Sequence, residues 1–279
     1  MDEDMMNGVG KTARWTAAAR ARESSRSDRL FDDPYASLLA GPEGTELLRH
    51  FHTTRASDEG NPFLPIRTRW FDDAIEKGLA AGLVQVVGLG AGLDTRAYRL
   101  AWPAGTTVYE VDQSTVLSYK RAILDNANAA PQCGLRTVPV DLGDDWPAAL
   151  AAAGHDPRVP TLWFTEGVLF YLPDKLAAEV VRRAAELSAP GSQLSVDLIG
   201  TGIYRFPYMR HFLRKLEDAG SPWQFGTDDP GGFLAENGWT VDVVTEPGRP
   251  GAEYGRWSSA ANPLDLPDLP RSYLVGGHV

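Results

Sequence analysis

The chain has a single cysteine, Cys133, among 279 residues, so it cannot form an internal disulfide framework and suits a reducing compartment. Basic residues are also few: 27 Lys and Arg stand against 37 Asp and Glu, with no basic stripe, which argues against nucleic acid as a partner. No apolar run reaches the length of a membrane span, and the first residues lack the cationic and apolar regions of a signal peptide. These absences predict a soluble, cytoplasmic protein that binds neither nucleic acid nor membrane.

Histidines are scarce too, and their spacing does not indicate a metal site. The five histidines form no HxxxH pattern, and a single cysteine cannot make a CxxC pair. His50 and His52 stand close together, but in a segment that reads as a loop without nearby acids. The sequence therefore predicts no bound metal.

What the sequence does contain is an apolar run that breaks into three alternating glycines. Leu83–Val87 has the composition of a strand buried on both faces, and Gly88, Gly90 and Gly92 follow it. Glycines at such a turn let the backbone approach a ligand without a Cβ in the way. About twenty residues later a second strand-like run ends in Asp112, an offset at which an acid accepts hydrogen bonds from both hydroxyls of a ribose. This combination predicts a nucleoside-bearing cofactor.

The spacing of the glycines separates two cofactor classes. The dinucleotide fingerprint G-x-G-x-x-G needs a glycine at position 93, where this chain has Leu93. The third glycine of that fingerprint helps to seat a pyrophosphate, which S-adenosylmethionine does not contain. We therefore favour S-adenosylmethionine over a nicotinamide cofactor, and a glycine turn without any ligand stays open as a further alternative.

Strand-like runs alternate with helical ones along most of the chain. The predicted strands are Leu83–Val87, Thr107–Val111, Arg136–Val140, Thr161–Thr165, Gln193–Leu198, Thr240–Val244 and Ser272–Val275. The predicted helices are Thr12–Arg22, Tyr35–Leu39, Ile66–Ala81 and Pro173–Ser188. A polar stretch, Gly41–Pro65, separates the second helix from the third. This rhythm predicts one α/β domain over residues 1–279, with a mostly parallel sheet and right-handed crossovers.

Two segments stand outside the rhythm of this domain. Residues 12–81 precede the alternation and are predicted to form an N-terminal helical cap on a core of residues 82–279. Residues 199–226 interrupt the core after the fifth strand and are rich in aromatic side chains. Ligands of open α/β sheets bind beyond the carboxyl ends of the strands. Because Asp94, Asp112, Asp141 and Glu166 follow strand ends, we expect these acids to share one rim of the sheet with the ligand.

The same strand ends carry motifs of a known family. In chain order they read GLGAGLDTR at 88–96, EVDQ at 110–113, DL at 141–142 and LWFTEGVLFYLP at 162–173. With TARWTAAARARES and FDDPYA before them, and FLAENGW and YGRW after them, they resemble the leucine carboxyl methyltransferase-like family, in its bacterial branch. The resemblance spans about Thr12 to Val275 and implies a three-layer αβα, Rossmann-like methyltransferase fold with a seven-stranded sheet.

The resemblance also implies which residues bind S-adenosylmethionine. They are Gly88 and Gly90 at the methionyl part, Asp112 at the ribose, Asp141 and Leu142 at the adenine, and Glu166 beneath the cofactor. An arginine before the first strand is expected to bind the donor's carboxylate with its two-pronged guanidinium. Arg67 is favoured over Arg69, because a helix would turn Arg69 elsewhere, and Arg20 is a second candidate on the first helix.

The resemblance and the residues together predict an S-adenosylmethionine-dependent O-methyltransferase. A carboxylate acceptor is already ionised and needs no general base, whereas a hydroxyl acceptor gains from one. No Ser/His/Asp order or paired-carboxylate motif is evident, which favours a carboxyl group on a small molecule or a peptide. The bacterial branch implies methylation in secondary metabolism, including polyketide-type products.

Candidate residues for the acceptor side come from the fourth strand end and the insertion. They are Tyr171, Tyr204, Tyr208 and His211, and of these Tyr204 and His211 are also candidates for catalysis. Two alternative functions stay open beside the methyltransferase. One is a nicotinamide-dependent oxidoreductase, which Leu93 and the absence of a Tyr-x-x-x-Lys pair disfavour. The other is a catalytically silent S-adenosylmethionine-binding protein.

Overall fold

The structure is a computed structural model that describes residues 8–50, 62–257 and 269–279. The helices are α1 (Gly8–Ser24), α2 (Ala36–His50), α3 (Phe63–Ala80), α4 (Arg96–Arg99), α5 (Ser114–Asn126), α6 (Trp146–Ala152), α7 (Asp174–Glu186), α8 (Gly202–Arg205), α9 (Met209–Asp218) and α10 (Pro230–Glu236). The strands are β1 (Gln85–Leu89), β2 (Thr107–Asp112), β3 (Gly134–Pro139), β4 (Thr161–Thr165), β5 (Gln193–Ile199), β6 (Thr240–Thr245) and β7 (Ser272–His278).

The seven strands form one sheet in the order β3-β2-β1-β4-β5-β7-β6. The neighbours from β3 to β5 pair in parallel, and β7 runs antiparallel to both β5 and β6. This arrangement confirms the predicted mostly parallel, seven-stranded α/β sheet. The direction of winding reverses between β1 and β4, and ligands of open α/β sheets bind in the crevice at such a switch point.

Helices cover both faces of the sheet, because the central strands are apolar on both sides. On one face the core includes Trp146 of α6, Trp163 of β4 and Trp239 before β6, together with the apolar stripe of α7. On the other face Phe71 and Ile75 of α3 pack on β1, β2 and β4. The helix α3 therefore belongs to a core layer, although its residues fall within the segment predicted as the N-terminal cap. The predicted three-layer αβα arrangement is confirmed.

Two predicted boundaries in this region are wrong. The first strand begins at Gln85 instead of Leu83, and Val84 before it is 40% exposed. The stretch predicted as polar and irregular from position 41 is helical as far as His50. Gly41 has left-handed φ (+59°) and bends the chain, and Pro42 then opens a second helical segment, where a proline's missing N–H costs nothing. His52, which stands close to His50 in the sequence, lies outside the described residues.

The first helix and the insertion meet above the carboxyl ends of the strands. The insertion contains α8 and α9, which sequence patterns did not predict. Phe212 of α9 packs edge-on against Trp15 of α1, with 6.1 Å between the ring centroids, and lies 5.2 Å from the ring of Trp223. These side chains belong to a cluster of aromatic and aliphatic residues, called here the aromatic wall, which also holds Leu64 and Phe170. The aromatic wall closes one side of the crevice.

Candidate cofactor and acceptor site

A pocket lies beyond the carboxyl ends of β1 to β4, between the glycine turn and helices α1 and α3. Most residues predicted to form the site line this pocket. They are Arg20, Arg67, Gly90, Asp94, Asp112, Asp141, Leu142, Glu166 and Tyr171. The exception among the predicted cofactor residues is Gly88, which lies inside β1 and pairs with Glu110 and Phe164. A Cβ at Gly88 would come within 2.6 Å of the Phe164 ring, so this glycine serves packing.

The turn after β1 requires glycine at two positions. Gly90 and Gly92 have left-handed φ values of +68° and +50°. A Cβ at Gly90 would lie 2.5 Å from a methyl of Val168, whereas one at Gly92 would lie 3.8 Å from Ala13. The backbone is therefore closely packed at Gly90 and open at Gly92. A ligand can approach the backbone of this turn on the side of Gly92.

The carboxylate of Asp112 is fixed at the end of β2 by two backbone amides. Gly92 N donates to its Oδ2 at 2.6 Å, and Gln113 N donates to its Oδ1 at 2.7 Å. Burial raises the pKa of Asp112, and these two amides offset part of that effect. Each carboxylate oxygen keeps a further lone pair, so the group can still accept hydrogen bonds from two ribose hydroxyls.

The next part of the pocket is suited to a flat apolar ring with a polar edge. Leu142 is buried there, and Val116 and Val140 lie beside it in the pocket lining. The exposed carboxylate of Asp141 accepts hydrogen bonds from Gly143 N at 2.8 Å and from the Gln113 amide at 2.7 Å. An adenine edge would meet a carboxylate that is already oriented, with an aliphatic surface against its face.

Arg67 lies buried between two carboxylates at the opposite end of the pocket. Its Nε donates to Glu166 Oε1 and its Nη1 to Asp197 Oδ2, both at 3.0 Å. Burial acts to lower the pKa of Arg67, but the charges of Asp197 and Glu166 outweigh it and the pKa is raised. Among the described residues Nη2 has no hydrogen-bond partner. The second N–H of Nη1 and both N–H groups of Nη2 are not used in these two contacts, so a two-pronged contact to the donor's carboxylate stays a prediction that the geometry allows.

Asp197 is a part of the site that sequence patterns did not indicate. Besides Arg67 it accepts a hydrogen bond from Gly167 N at 2.6 Å, so it joins β5 to the turn after β4. Gly167 has φ of +72°, and a Cβ there would lie 3.0 Å from the Arg67 guanidinium. Burial raises the pKa of Asp197, and the charge of Arg67 acts against this. Asp197 sits in the middle of an apolar strand, which is the one signal that the sequence offered.

A second arginine, Arg96, connects the glycine turn to the rest of the site. Its Nε donates to Asp72 Oδ1 at 2.6 Å, its Nη2 reaches Glu166 Oε2 at 2.8 Å, and its Nη1 contacts Asp94. Burial acts to raise the pKa of Asp94, but the charges of Arg96, Lys120 and Arg99 and the hydrogen bond from Arg96 N together lower that pKa to about 2. Arg99 adds two 2.7 Å contacts to Asp72. The sequence gives one indication of this network, namely polar residues that recur at helical spacing on the buried face of α3.

The first helix is attached to the glycine turn through Arg20. Its Nε donates to Asp33 Oδ2 at 2.8 Å, and its Nη2 donates to the carbonyl of Leu93 at 2.6 Å. Thr95 also donates to Asp33, at 2.7 Å. Arg20 thus lines the pocket, and its Nε and Nη2 hold α1 in place. Its role as a second contact to the donor stays a prediction. Arg69 points away, toward the Leu30 carbonyl and Asp73.

Of the four acceptor-side candidates, Tyr171 alone lines the pocket. The side chain is half-buried, and burial raises the pKa of its phenol, while Thr12 of α1 and Trp223 of the insertion act to lower that pKa. The structure does not bring Tyr204, Tyr208 or His211 to this pocket. Tyr204 donates to the Phe225 carbonyl at 2.9 Å, Tyr208 is 40% exposed, and His211 is exposed on α9.

The outward position of His211 follows from the pattern of α9. Met209, Phe212 and Leu216 recur at helical spacing and are buried in the aromatic wall, so Arg210, His211 and Arg214 on the opposite side of the helix face solvent. Within the described ranges no group of three or more His, Cys, Asp or Glu side chains is arranged to hold a metal ion.

Comparison with known proteins gives the family. The model of the leucine carboxyl methyltransferase family matches residues 13–185. The chain belongs to that family. A relative from Mycobacteroides abscessus is 40% identical over 285 residues, which cover 89% of this chain and 90% of the relative. A relative from Saccharopolyspora erythraea is 40% identical over 260 residues, 85% of each chain. Both are named as candidate S-adenosyl-L-methionine-dependent methyltransferases.

Solved structures agree on the fold of this methyltransferase. A DUF574 family protein from Streptomyces avermitilis superposes with a TM-score of 0.59 at 19% identity, over 92% of this chain and 98% of that one. A magnesium protoporphyrin IX methyltransferase from Synechocystis PCC 6803, with bound SAH, superposes with a TM-score of 0.50 at 14% identity, over 95% and 99% of the two chains. The predicted Rossmann-like methyltransferase fold is confirmed.

The family and its relatives also confirm the predicted reaction class and cofactor, methyl transfer from S-adenosylmethionine. They give no support to the nicotinamide-dependent or the catalytically silent alternative. Among the described segments no helix has both the length and the apolar character needed to cross a membrane.

Proposed function

We propose that the protein is an O-methyltransferase whose acceptor is a carboxyl group of a small or medium-sized organic molecule or of a peptide. A hydroxyl acceptor is the alternative, and the stability of the methylated product in base distinguishes the two. S-adenosylmethionine supplies the methyl group, and residues of the pocket are suited to bind it. Asp112 would hold the ribose, and Leu142 and Asp141 would hold the adenine. Glu166 lines the same pocket, and its carboxylate is held in place by Arg67 and Arg96.

The observation that carries the carboxyl assignment is that every described carboxylate lining the pocket already has partners. Asp94 and Glu166 are paired with arginines, and Asp112 and Asp141 accept hydrogen bonds from amides. A general base has to be free to take a proton at neutral pH. Because no described lining residue is placed for that task, an acceptor oxygen that is ionised beforehand is the best match.

The acceptor end of the pocket is mainly apolar. Leu64, Val168, Tyr171 and Leu172 line it, and the aromatic wall backs it. A tyrosine phenol is protonated at neutral pH, so Tyr171 can donate a hydrogen bond to an acceptor oxygen and position it. Such a surface suits a flat or apolar acid, and apolar walls also exclude water from the reaction.

In cellular terms, we propose that the acceptor is a secondary metabolite of polyketide type, methylated in the cytoplasm without a nucleic-acid or membrane partner. The apolar acceptor end and the single, half-buried Cys133 support this placement. Comparative metabolite profiling of a strain with and without the gene tests it, the expected result being loss of one methyl ester.

The chemical assignment is tested by incubating the protein with methyl-labelled S-adenosylmethionine and a panel of carboxylic acids, C-terminal peptides and phenols. We expect labelled products that release methanol under mild base, because esters hydrolyse and ethers do not. The Asp112→Ala variant serves as the control with impaired donor binding. A labelled product that survives base would overturn the carboxyl assignment in favour of a hydroxyl acceptor.

A further inference from the structure

Gln113 stands between the two carboxylates that are suited to the ribose and the adenine of the donor. Its backbone N–H donates to Asp112 Oδ1 and its side-chain amide donates to Asp141 Oδ2, both at 2.7 Å. Each carboxylate accepts a second hydrogen bond from a backbone amide, Asp112 from Gly92 N at 2.6 Å and Asp141 from Gly143 N at 2.8 Å. One residue therefore helps to orient both acids, through two different groups.

The fold explains how Gln113 reaches both acids. It comes directly after β2 and immediately before α5, so it lies at the rim where β2 ends. Asp141 follows β3, the neighbouring parallel strand, in which Pro139 is in register with Asp112. Neighbouring strands are about 5 Å apart, a distance that a glutamine side chain can span. Gln113 also lines the pocket itself, together with both acids.

A neutral amide is well suited to a place between two like charges. Burial raises the pKa of Asp112, and the charge of Asp141 adds to that effect, so the two carboxylates are close enough to repel each other. A lysine or arginine between them would form ion pairs and occupy several of their lone pairs. The amide of Gln113 donates a hydrogen bond without carrying a charge. Both acids thereby keep their capacity to accept hydrogen bonds from a ligand.

The orientation of Asp141 bears on which base the pocket can accept. Adenine has an amine on carbon 6 of its ring, which donates hydrogen bonds, whereas hypoxanthine has a carbonyl oxygen there, which only accepts them. A carboxylate held at this edge of the base pairs with the amine and repels the carbonyl oxygen. The discrimination requires a fixed carboxylate, because one that rotates away avoids the repulsion. Asp141 is exposed, so it depends on contacts such as that from Gln113 to stay in place.

We propose that Gln113 is a positioning residue for base specificity, which acts through Asp141 to make the donor site select a 6-aminopurine over a 6-oxopurine. This inference deepens the proposed function and rests on one part of it, the placement of Asp141 beside the adenine. The chemical class of the methyl acceptor does not enter the inference.

The test compares the binding of S-adenosylhomocysteine and S-inosylhomocysteine by calorimetry, because these ligands differ only in the base. The variants are Gln113→Met, Asp141→Asn, the double variant Q113M/D141N, and the control Gln132→Met, which removes an exposed amide before β3. We expect the parent to prefer the adenosyl ligand about tenfold or more, and Gln113→Met to lower that preference about fivefold. Gln132→Met should keep the preference of the parent.

The double variant tests whether Gln113 acts through Asp141. Asp141→Asn should lose most of the preference, since an asparagine amide can donate to the carbonyl oxygen of the 6-oxopurine. Q113M/D141N should then show the same preference as Asp141→Asn alone, because the group that Gln113 positions is already changed. A further fivefold drop in the double variant would overturn the inference.

Two other results would also overturn it. One is an equal loss of affinity for both ligands in Gln113→Met, which would mean that the residue only supports the structure of the pocket. The other is a parent that binds both ligands equally well. The carboxyl assignment fails on a different observation, a methylated product that is stable in base. A parent that binds neither ligand would overturn the donor site and this inference together.

Discussion

Arg96 Nη2 lies 2.8 Å from Glu166 Oε2, and this contact joins the helix after the glycine turn to the tip of β4. Both residues are largely buried, and each has a second ionic partner, Asp72 for Arg96 and Arg67 for Glu166. The two strand ends that form the centre of the pocket are thereby held at a fixed separation. A network of this kind is costly to break, because removing one member leaves buried charge without compensation.

Replacement of Arg96 by methionine is therefore expected to lower the free energy of unfolding by about 3–5 kcal/mol. The reason is that Asp72 and Glu166 lose a buried partner and become partly unpaired. Urea denaturation followed by circular dichroism measures the change. The matched control is Arg121→Met, which removes an exposed partner of Asp125 and should cost less than about 1 kcal/mol. Equal stability of Arg96→Met and the parent would show that the network contributes nothing.

The Asp112→Ala variant should lose donor affinity much more than overall stability. It removes a charged acceptor for ribose hydroxyls, worth about 2 kcal/mol or more, which corresponds to about thirtyfold in Kd. Calorimetric titration with S-adenosylmethionine gives the affinity, and thermal unfolding without donor checks that the variant is folded. The exposed Asp144, outside the pocket lining, supplies the control Asp144→Ala. Parent-like affinity in Asp112→Ala would contradict the assignment of this end of the pocket to a ribose.

The two glycines of the turn provide a comparison between backbone strain and steric overlap. Both have left-handed φ, so alanine at either position costs about 1 kcal/mol from the backbone alone. Gly90→Ala should cost more, because its Cβ would lie 2.5 Å from Val168, whereas Gly92→Ala has room. Denaturation of both single variants measures the difference. The double variant G90A/V168A should recover part of the additional loss of stability seen in Gly90→Ala, because the smaller side chain makes room for the new methyl. A Gly92→Ala variant that is less stable than Gly90→Ala would contradict this explanation.

His155 should give the protein a specific dependence of stability on pH. Burial lowers its pKa from 6.5 to about 4, and the neutral ring contacts Thr161 Oγ1 at 3.1 Å and packs beside Trp163. Between these pH values the unfolded chain binds more protons than the folded protein. The stability of the neutral, buried form is therefore complete above about pH 6.5 and is lost as the pH falls toward 4.

The expected loss through this one group is at most about 3 kcal/mol. The measurement is the free energy of unfolding of the parent and of His155→Gln between about pH 4 and pH 6.5. The difference between the two proteins removes the contribution of other titrating groups. The parent should lose stability more steeply than the variant as pH falls. Parallel curves for the two proteins would mean that His155 titrates in the folded state at its ordinary pKa.

The parts of the site that lie at strand ends could be predicted from sequence, and the parts formed by distant pairing could not. The alternation of apolar runs and helical spacing predicts where β1, β2, β3 and β4 end to within about two residues, and parallel strands bring those ends to one rim. Asp112, Asp141 and Glu166 follow from this geometry and from the family resemblance. The insertion after β5 was harder to predict. The same pattern of aromatic residues is expected whether they line a pocket or pack in a core.

The contact between Arg67 and Asp197 shows why the rest could not be predicted. The two residues are 130 positions apart, and their 3.0 Å contact depends on how α3 packs over the sheet. A sequence indicates that a buried arginine needs a partner but does not identify it. Likewise, the extension of α2 to His50 depends on Gly41 and Pro42 forming a kink, a combination that reads locally as a loop. Side-chain partnership across elements is a property of the assembled molecule.

The aromatic wall also has a consequence for how this scaffold can be re-engineered. The half of the crevice assigned to the donor is built from the carboxyl ends of β1 to β4, whereas Tyr171 on the opposite side is backed by Trp223 and Phe212 from one continuous stretch, residues 199–226. That stretch leaves the sheet after β5 and returns before α10, so it can be exchanged as a cassette between homologues. Chimeras made in this way should keep the donor site of the host, and their acceptor preference should change only through the packing of the new stretch behind Tyr171, because Leu64, Val168, Tyr171 and Leu172 stay with the host.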